Sequence, residues 1–497
     1  MPNKMPRTSA TPERILVSTQ PGQCAALLAI TPASLRIALA SLLLLTGAGC
    51  SQQPVSSEQS CEQLFATRYQ LTAATRDGQF AQIKGYYGLR SSRLDALLAS
   101  QAISPEQQRL WLQRLAANDI AASAIEQRNL PASARNGLDN PAFQAQLNAC
   151  RNNQIRQLLS DPAALDQLRN ASAVADDYSH WARALGLYPL LKPLYRKGIA
   201  QWQAEAATTT APQDSARWLN YQPVATDTSM LPTKFTFDAL GLPQVDAEQL
   251  QALFARHAPL INVEQASPAD RIGQPRFNRQ GERQFSPVPV IYQHTGWSRI
   301  DGRWHLQLIY QMWFRERPKS NPLDMLGGDL DGLIWRVTLD NQGAAMLYDS
   351  IHPCGCWHSF FVPQSSALRF SQARDEESRP HRLVAVDASK PATLWLSARE
   401  HALVWVDQRT SASVPIIYQQ AALDQLRQLD HGQGTKSLYQ PDGLISGTER
   451  LERWVLWPSG VHAPGSMRQW GRHATAFIGR AHFDDPLLLE RYFNAAP

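Results

Sequence analysis

The chain has 497 residues, of which 43 % are hydrophobic and 18 % are charged, and its formal net charge is +5. This composition excludes wholesale disorder and supplies enough apolar residues for more than one core. Taken together, the patterns below predict a two-domain α+β protein. A helical bundle comes first, followed by a mainly antiparallel β-sheet domain, a sandwich or distorted barrel with helical insertions.

An apolar run near the N-terminus has the layout of a secretory signal. Residues 37–49 follow Arg36, end in small residues before Cys50, and are too few to span a membrane. Their end, Gly-Ala-Gly-Cys, resembles a bacterial lipoprotein signal, in which the cysteine becomes the lipidated first residue of the mature chain. The resemblance implies a leader at residues 1–49, lipidation of Cys50 and a tether at residues 50–60. Ordinary signal-peptidase cleavage after Ala48 is the alternative.

Removal of the leader changes the charge of the chain. Residues 1–49 contain four basic residues and one acidic residue, so the formal charge falls from +5 to +2. A chain this close to neutrality has no electrostatic reason to bind nucleic acid, and we expect no such partner. We expect attachment to a membrane through the lipid on Cys50. The protein is then an outer membrane lipoprotein facing the periplasm, which Ser51 favours by the same resemblance, or else periplasmic.

Residues 61–207 are predicted to form the helical domain. Three predicted helix starts share one sequence pattern, in which a capping residue directly precedes a proline at the first helical position. They are Ser104-Pro105, Asn140-Pro141 and Asp161-Pro162. Apolar residues follow each start at helical spacing, which indicates faces that pack in a bundle.

Four cysteines remain once the leader and Cys50 are set aside, and they permit three pairings. In an oxidising periplasm, Cys61 with Cys150 is the natural structural bridge. A second bridge could join Cys354 to Cys356. It would close a small strained ring and be more easily reduced than an ordinary disulfide.

A threonine- and proline-bearing segment at residues 208–235 is predicted to link the helical domain to the rest of the chain. The remainder, residues 236–497, begins with a helix capped by Asp246 with Gln249 three residues later.

Alternation of apolar and polar residues then predicts strands. It is clear at residues 304–312, and residues 340–343 (Asp-Asn-Gln-Gly) join two further strands as a hairpin. An amphipathic pattern predicts a helix near residues 419–429, and another strand is predicted at residues 474–478. Residues 328–332 (Gly-Asp-Leu-Asp-Gly) resemble part of a calcium loop but lack its closing glutamate, so a tight turn is predicted there.

Four groups that bind metals or change redox state fall within residues 352–358, His-Pro-Cys-Gly-Cys-Trp-His. They are His352, Cys354, Cys356 and His358. In an extended strand all four would face one side, yet the outer pair would stand about 20 Å apart, whereas zinc holds its ligands at about 2.0 to 2.3 Å. Pro353 and Gly355 favour a curled segment. Two thiolates and two imidazoles then make a closed, structural zinc site.

Other uses of this heptapeptide stay open. The cysteines could form the disulfide described above between ordinary histidines, or act as a redox pair. If His352 only supports the other three groups, one position is open to water and a zinc site becomes catalytic. Residues 400–401 (Glu-His) and 472–473 (Arg-His) lie beside predicted strands and could supply a fourth ligand or a general base.

Neither Gly-x-Ser-x-Gly nor His-Glu-x-x-His occurs in the chain. The tryptophans of the C-terminal half are predicted to be core residues, although a groove for polysaccharide would use such rings for stacking. We therefore expect an exported, lipid-anchored envelope protein, a non-catalytic binding or structural module with an envelope protein or polysaccharide as partner. The alternative is a zinc-dependent envelope enzyme of the hydrolase class.

Overall fold

The structure, a computed structural model, describes residues 57–135, 137–213, 217–225, 230–371 and 377–495. The leader, Cys50 and the tether up to residue 56 lie outside these residues. All the described residues belong to one unit of contacting chain, Val55–Pro497. The boundaries between a helical domain, a linker and a β-rich domain stay predictions.

Helices dominate the first part of the described chain. The α-helices are α1 (Ser57–Leu71), α2 (Arg93–Ala99), α3 (Pro105–Arg128), α4 (Ala132–Arg135), α5 (Pro141–Ser160), α6 (Pro162–Ala171), α7 (His180–Leu185), α8 (Tyr188–Thr208), α9 (Ala247–Arg256) and α10 (Arg453–Leu456). Single 3₁₀ turns lie at Ala73–Thr75, Pro268–Asp270, Leu423–Arg427, Trp457–Ser459 and Leu489–Arg491. None of these described helices has the length and apolar character needed to cross a membrane.

Local capping explains where the predicted helices begin. The Ser104 hydroxyl accepts a hydrogen bond from the Gln107 amide at the start of α3, and the Asn140 and Asp161 side chains cap α5 and α6 in the same way. Asp246 and Gln249 form the predicted reciprocal cap of α9. These four starts confirm the sequence predictions.

The predicted disulfide Cys61–Cys150 is present and joins α1 to α5, with the two Cα atoms 5.6 Å apart. The helices pack around Trp111 and Leu112 of α3 and Leu168 of α6. Trp304, a residue of the β-rich part, belongs to the same core cluster. The helical and β-rich parts therefore share apolar contacts.

The strands follow in chain order. They are β1 (Ala81–Gln82), β2 (Arg90–Ser91), β3 (Trp218–Pro223), β4 (Thr236–Phe237), β5 (Pro243–Gln244), β6 (Leu260–Glu264), β7 (Ile272–Phe277), β8 (Arg283–Ser286), β9 (Val290–Ile300), β10 (Arg303–Arg317), β11 (Gly328–Leu339), β12 (Ala345–Ile351), β13 (Ser359–Pro363), β14 (Leu368–Phe370), β15 (His381–Val384), β16 (Thr393–Leu396), β17 (Leu403–Asp407), β18 (Pro415–Ala422), β19 (Leu429–Asp430), β20 (Thr435–Lys436) and β21 (Phe493–Ala495).

One mixed sheet of 13 strands organises this part of the chain. Its order is β15-β13-β12-β11-β10-β9-β18-β3-β6-β16-β17, with β7 paired to β10 and β8 to β7. The sheet is nearly closed and barrel-like. Strands β9 to β13 pair antiparallel in sequence order, whereas β18 pairs parallel to both β9 and β3. The α+β class is confirmed.

The residues whose alternation predicted a strand lie on β10, and their side chains alternate between its two faces. Leu308, Tyr310 and Met312 enter the largest apolar core, and Ile309 enters a different cluster on the opposite face. The two runs joined by residues 340–343 form the β11–β12 hairpin.

Several local predictions were wrong. Residues 419–429 contain the end of β18 and a 3₁₀ turn, because parallel pairing with β9 overrides the amphipathic helical pattern. Residues 474–478 form no regular strand, only an isolated bridge at Ala474. Residues 328–332 are the start of β11 and not a free turn, and β3 lies within the predicted linker 208–235.

Candidate functional site

The heptapeptide 352–358 forms a tight turn between β12 and β13. The His352 amide donates to the Cys356 carbonyl at 3.0 Å, and the Gly355 amide donates to the His352 carbonyl at 2.8 Å. The Arg468 amide donates to the Pro353 carbonyl at 3.0 Å, which ties the turn to the C-terminal segment. The segment is therefore curled, as its proline and glycine predict.

Two residues of this turn have left-handed backbone conformations. Gly355 has a φ of +92°, and a Cβ there would lie 2.2 Å from the Ala474 carbonyl oxygen, so the position accepts glycine only. Trp357 has a φ of 64°, which is costly for a residue with a bulky side chain. The residue remains 36 % exposed, and its ring packs edge to face on Trp202 of α8, with centroids 5.3 Å apart. Strain of this kind concentrates at functional positions.

His352 anchors the first end of the turn to a buried carboxylate. Its Nδ1 lies 3.4 Å from Asp331 of β11, and both side chains are almost fully buried. Asp331 also contacts the Nδ1 of His401 at 2.8 Å and the Arg450 guanidinium at 3.3 Å. Burial alone would raise the pKa of Asp331, but Arg450 and the two imidazoles hold it well below its usual range.

His401 extends this network to a second carboxylate. Its Nε2 lies 3.3 Å from Asp270, and its ring stacks on Phe314, the residue opposite Asp331 in the β10–β11 pairing. Burial would lower the pKa of His401, but the nearby carboxylates of Asp270 and Asp331 outweigh it and raise the pKa. The imidazolium form is thereby favoured between two carboxylates.

His358 anchors the other end of the turn in the same way. Its Nε2 lies 2.7 Å from Asp349 of β12, which also accepts two hydrogen bonds from Arg336, the residue directly opposite it on β11. Burial, together with the charge of Arg379, lowers the pKa of His358 to about 3. The turn is thus held by one histidine–aspartate pair at each end.

The two thiols between these anchors interact with each other. Both cysteines are free. Hydrogen bonding between the two thiols lowers the pKa of Cys354 against the effect of burial, and it raises the pKa of Cys356 well above its usual value. Cys354 is buried and Cys356 is half-buried.

The four residues predicted to bind zinc lie in this one turn, and their side chains can be compared with the needs of a metal site. Each histidine leaves a second buried nitrogen, His352 Nε2 and His358 Nδ1, without a hydrogen-bond partner among the described residues. A carboxylate behind an imidazole also suits a metal ligand. Nevertheless, within the described part of the chain no group of three or more His, Cys, Asp or Glu side chains is arranged to hold a metal ion. Zinc binding by His352, Cys354, Cys356 and His358 stays a prediction, as does a zinc-dependent hydrolase.

A cavity of about 350 Å³ lies over the two thiols. Leu194, Gly198 and Trp202 line it from α8, where their spacing of four residues places them on one helix face. The rest of the wall is mainly apolar and comes from the turn and the C-terminal segment, including Cys354, Cys356, Trp357, Leu456, Val461, Ala476 and Phe477. The carboxyl group of Glu452 is one of few polar groups there, and burial raises its pKa.

A second cavity, of about 270 Å³, lies between the helices and the sheet. Its wall is more polar and includes Arg114, Asn118, Trp297, Trp470 and Asp484. The guanidinium of Arg114 lies over the Trp297 ring, 5.4 Å from its centroid. We place the candidate site at the first cavity, because the thiols, the strained turn and the two buried anchors all meet there.

Sequence reasoning identified the turn but missed its supports. Asp331 was assigned to a turn, and Asp349 and Arg450 carried no signal. The sequence suggested a role for residues 400–401 but did not indicate which groups they contact. In the structure, His401 contacts Asp331, the carboxylate that also contacts His352. His473 instead packs beside Trp470, and neither of its ring nitrogens has a hydrogen-bond partner in the described chain.

Comparison with protein-family models, with curated proteins and with solved structures gave no match to this chain.

Proposed function

We propose that this protein is an exported, lipid-anchored envelope protein that binds a small apolar molecule in the cavity beside the Cys-Gly-Cys turn. The cavity itself is the observation that supports this proposal. Its volume, about 350 Å³, lies in the range of small-molecule sites, and its wall is mainly apolar with a few polar groups. The module is non-catalytic, and the turn and its anchors give the binding site a rigid floor.

The aromatic side chains define the shape of the proposed ligand. Trp202 and Trp357 meet edge to face beside the thiols, and Phe477 lies on the wall of the same cavity. Flat or linear apolar groups gain free energy from burial against such rings. The Glu452 carboxyl group is one of few polar groups on a mainly apolar wall and offers a hydrogen bond there. We therefore expect a ligand with an apolar body and one polar end.

Titration with N-phenyl-1-naphthylamine, a neutral apolar fluorophore, tests this proposal. Gly198 lines the cavity, and a Cβ there meets no atom within 4 Å, so Gly198→Leu attaches an apolar side chain at the cavity wall without a clash at its first carbon. Gly137 is equally unobstructed but lies on the surface of the helical part, so Gly137→Leu is the matched control. We expect saturable binding that is weakened only by Gly198→Leu. Equal binding by all three proteins would refute the proposal.

Attachment to the membrane through Cys50 is the second part of the proposal. The Cys61–Cys150 bridge supports the export that such attachment requires, because structural disulfides are typical of exported proteins. We expect metabolic labelling with a fatty acid to mark the wild-type chain in the envelope fraction, and Cys50→Ser to abolish the label. A labelled Cys50→Ser variant, or an unlabelled wild-type chain, would contradict lipidation at this residue.

A polysaccharide partner at the polar cavity is a further candidate. The indole Nε1 of Trp297 is buried there without a hydrogen-bond partner among the described residues, and Trp470 lies on the same wall. Aromatic faces beside hydrogen-bonding groups suit sugar rings. Co-sedimentation with purified peptidoglycan tests this candidate, which predicts that Trp470→Ala remains in the supernatant while the wild-type protein sediments. Equal sedimentation of both would exclude the cavity as the binding site.

A further inference from the structure

We propose that Cys354 and Cys356 form a redox-active dithiol that exchanges with disulfides and closes a reversible bridge across Gly355. The inference does not depend on what fills the cavity, because it needs only contact between the two sulfur atoms and access for a disulfide. It adds an exchange reaction to a protein proposed above as a binding module.

The geometry of the turn brings the two sulfur atoms together. The left-handed conformation of Gly355 and the hydrogen bond from the His352 amide to the Cys356 carbonyl fold the segment back on itself. Cys354 and Cys356 consequently line the same cavity although one residue separates them, and the two thiols interact. Closure of a bridge then requires small side-chain movements within a turn that is already formed.

The surroundings suit thiol chemistry. Both cysteines line the cavity, and Cys356 is half-buried, so a disulfide that enters the cavity reaches the wall that carries both residues. Cys61 and Cys150 differ, because they are already bridged and connect two helices.

The proposed exchange has two steps. One deprotonated sulfur of the pair attacks a disulfide, forms a mixed disulfide and breaks the S–S bond of the oxidant, whose first half leaves as a thiolate. The second sulfur then attacks the mixed disulfide and expels the other half. The protein loses two electrons and two protons, and the oxidant becomes two thiols. A dithiol reverses the reaction.

Incubation of the whole protein with oxidised and reduced glutathione at graded ratios tests the proposal. A parallel series uses a peptide disulfide flanked by leucine residues, so that small and polypeptide oxidants are distinguished. Free thiols are then blocked with N-ethylmaleimide and mapped by peptide mass spectrometry. The single variants Cys354→Ser and Cys356→Ser trap the mixed disulfide, and the closed Cys61–Cys150 bridge with an unchanged circular dichroism spectrum reports an intact fold.

In at least one series, we expect the two wild-type thiols, which N-ethylmaleimide modifies at first, to become joined in a disulfide as the oxidant increases. Both thiols should become available to N-ethylmaleimide again when reductant is added. The second thiol acts at an effective concentration of about millimolar or more, so at micromolar oxidant the wild-type protein should hold about tenfold less mixed disulfide than either variant. Two outcomes would overturn the proposal. Either both thiols remain blockable at every ratio of both oxidants, or the wild-type protein accumulates as much mixed disulfide as the variants.

Discussion

The substitution Gly355→Ala tests whether the turn needs glycine for its conformation and also for its packing. A left-handed φ costs an L-residue about 1–2 kcal/mol. In addition, the new Cβ would lie 2.2 Å from the Ala474 oxygen, more than 1 Å closer than an ordinary contact of 3.4 Å. Overpacking of this kind costs about 1–3 kcal/mol. We therefore expect the free energy of unfolding to fall by about 2–5 kcal/mol.

Gly302 provides the matched control. It lies in the turn between β9 and β10 with a φ of +74°, and a Cβ there meets no atom within 4 Å. Gly302→Ala should therefore cost only the conformational part, about 1–2 kcal/mol. Urea denaturation of the wild-type protein and both variants measures the two losses. Equal losses would refute the contact between the turn and the Ala474 carbonyl.

Three further predictions concern stability. Replacement of both Cys61 and Cys150 by serine should lower the free energy of unfolding by about 4–5 kcal/mol, because the bridge spans 89 residues; an unchanged urea midpoint would contradict this. Burial lowers the pKa of His257 to about 4, so the stability present above pH 6.5 should fall by roughly 3 kcal/mol as the pH drops to 4. His257→Gln should reduce this fall in stability between pH 6.5 and pH 4. An equal fall in the variant and the wild-type protein would refute the attribution to His257. The raised pKa of His401 gives the opposite dependence of stability on pH. The stabilisation by His401 is complete below pH 6.5 and is lost as the pH rises through the raised pKa. Denaturation at a series of pH values should therefore show that the wild-type protein loses stability as the pH rises, and that His401→Gln does not. A wild-type protein whose stability does not fall in this way would count against the network.

Local signals explain what the sequence predicted correctly. Helix starts at Ser104, Asn140 and Asp161 depend on side chains within three residues, so they can be recognised without the fold. The β11–β12 hairpin is equally local, because its turn residues stand between its two strands. The heptapeptide was chosen as a candidate site from residue types alone, and its role stays a prediction.

The supports of the site depend on long-range pairing and could not be predicted in this way. Arg336 meets Asp349 only because the register of β11 with β12 places them opposite each other. His401 reaches Asp331 across 70 residues of sequence. Zinc binding by the two histidines of the heptapeptide stays a prediction, and the carboxylate partner that the structure gives each of them could not be predicted from the sequence.

Protection of Cys356 from alkylation tests the central claim most directly. The claim is that an apolar molecule binds in the cavity whose wall contains the thiols. The rate at which N-ethylmaleimide modifies Cys356 is measured with and without N-phenyl-1-naphthylamine, using peptide mass spectrometry to identify the residue. If the fluorophore occupies about nine-tenths of the protein, the rate should fall about tenfold, because only the empty fraction reacts. A fluorophore that binds to saturation and leaves this rate unchanged would contradict the claim.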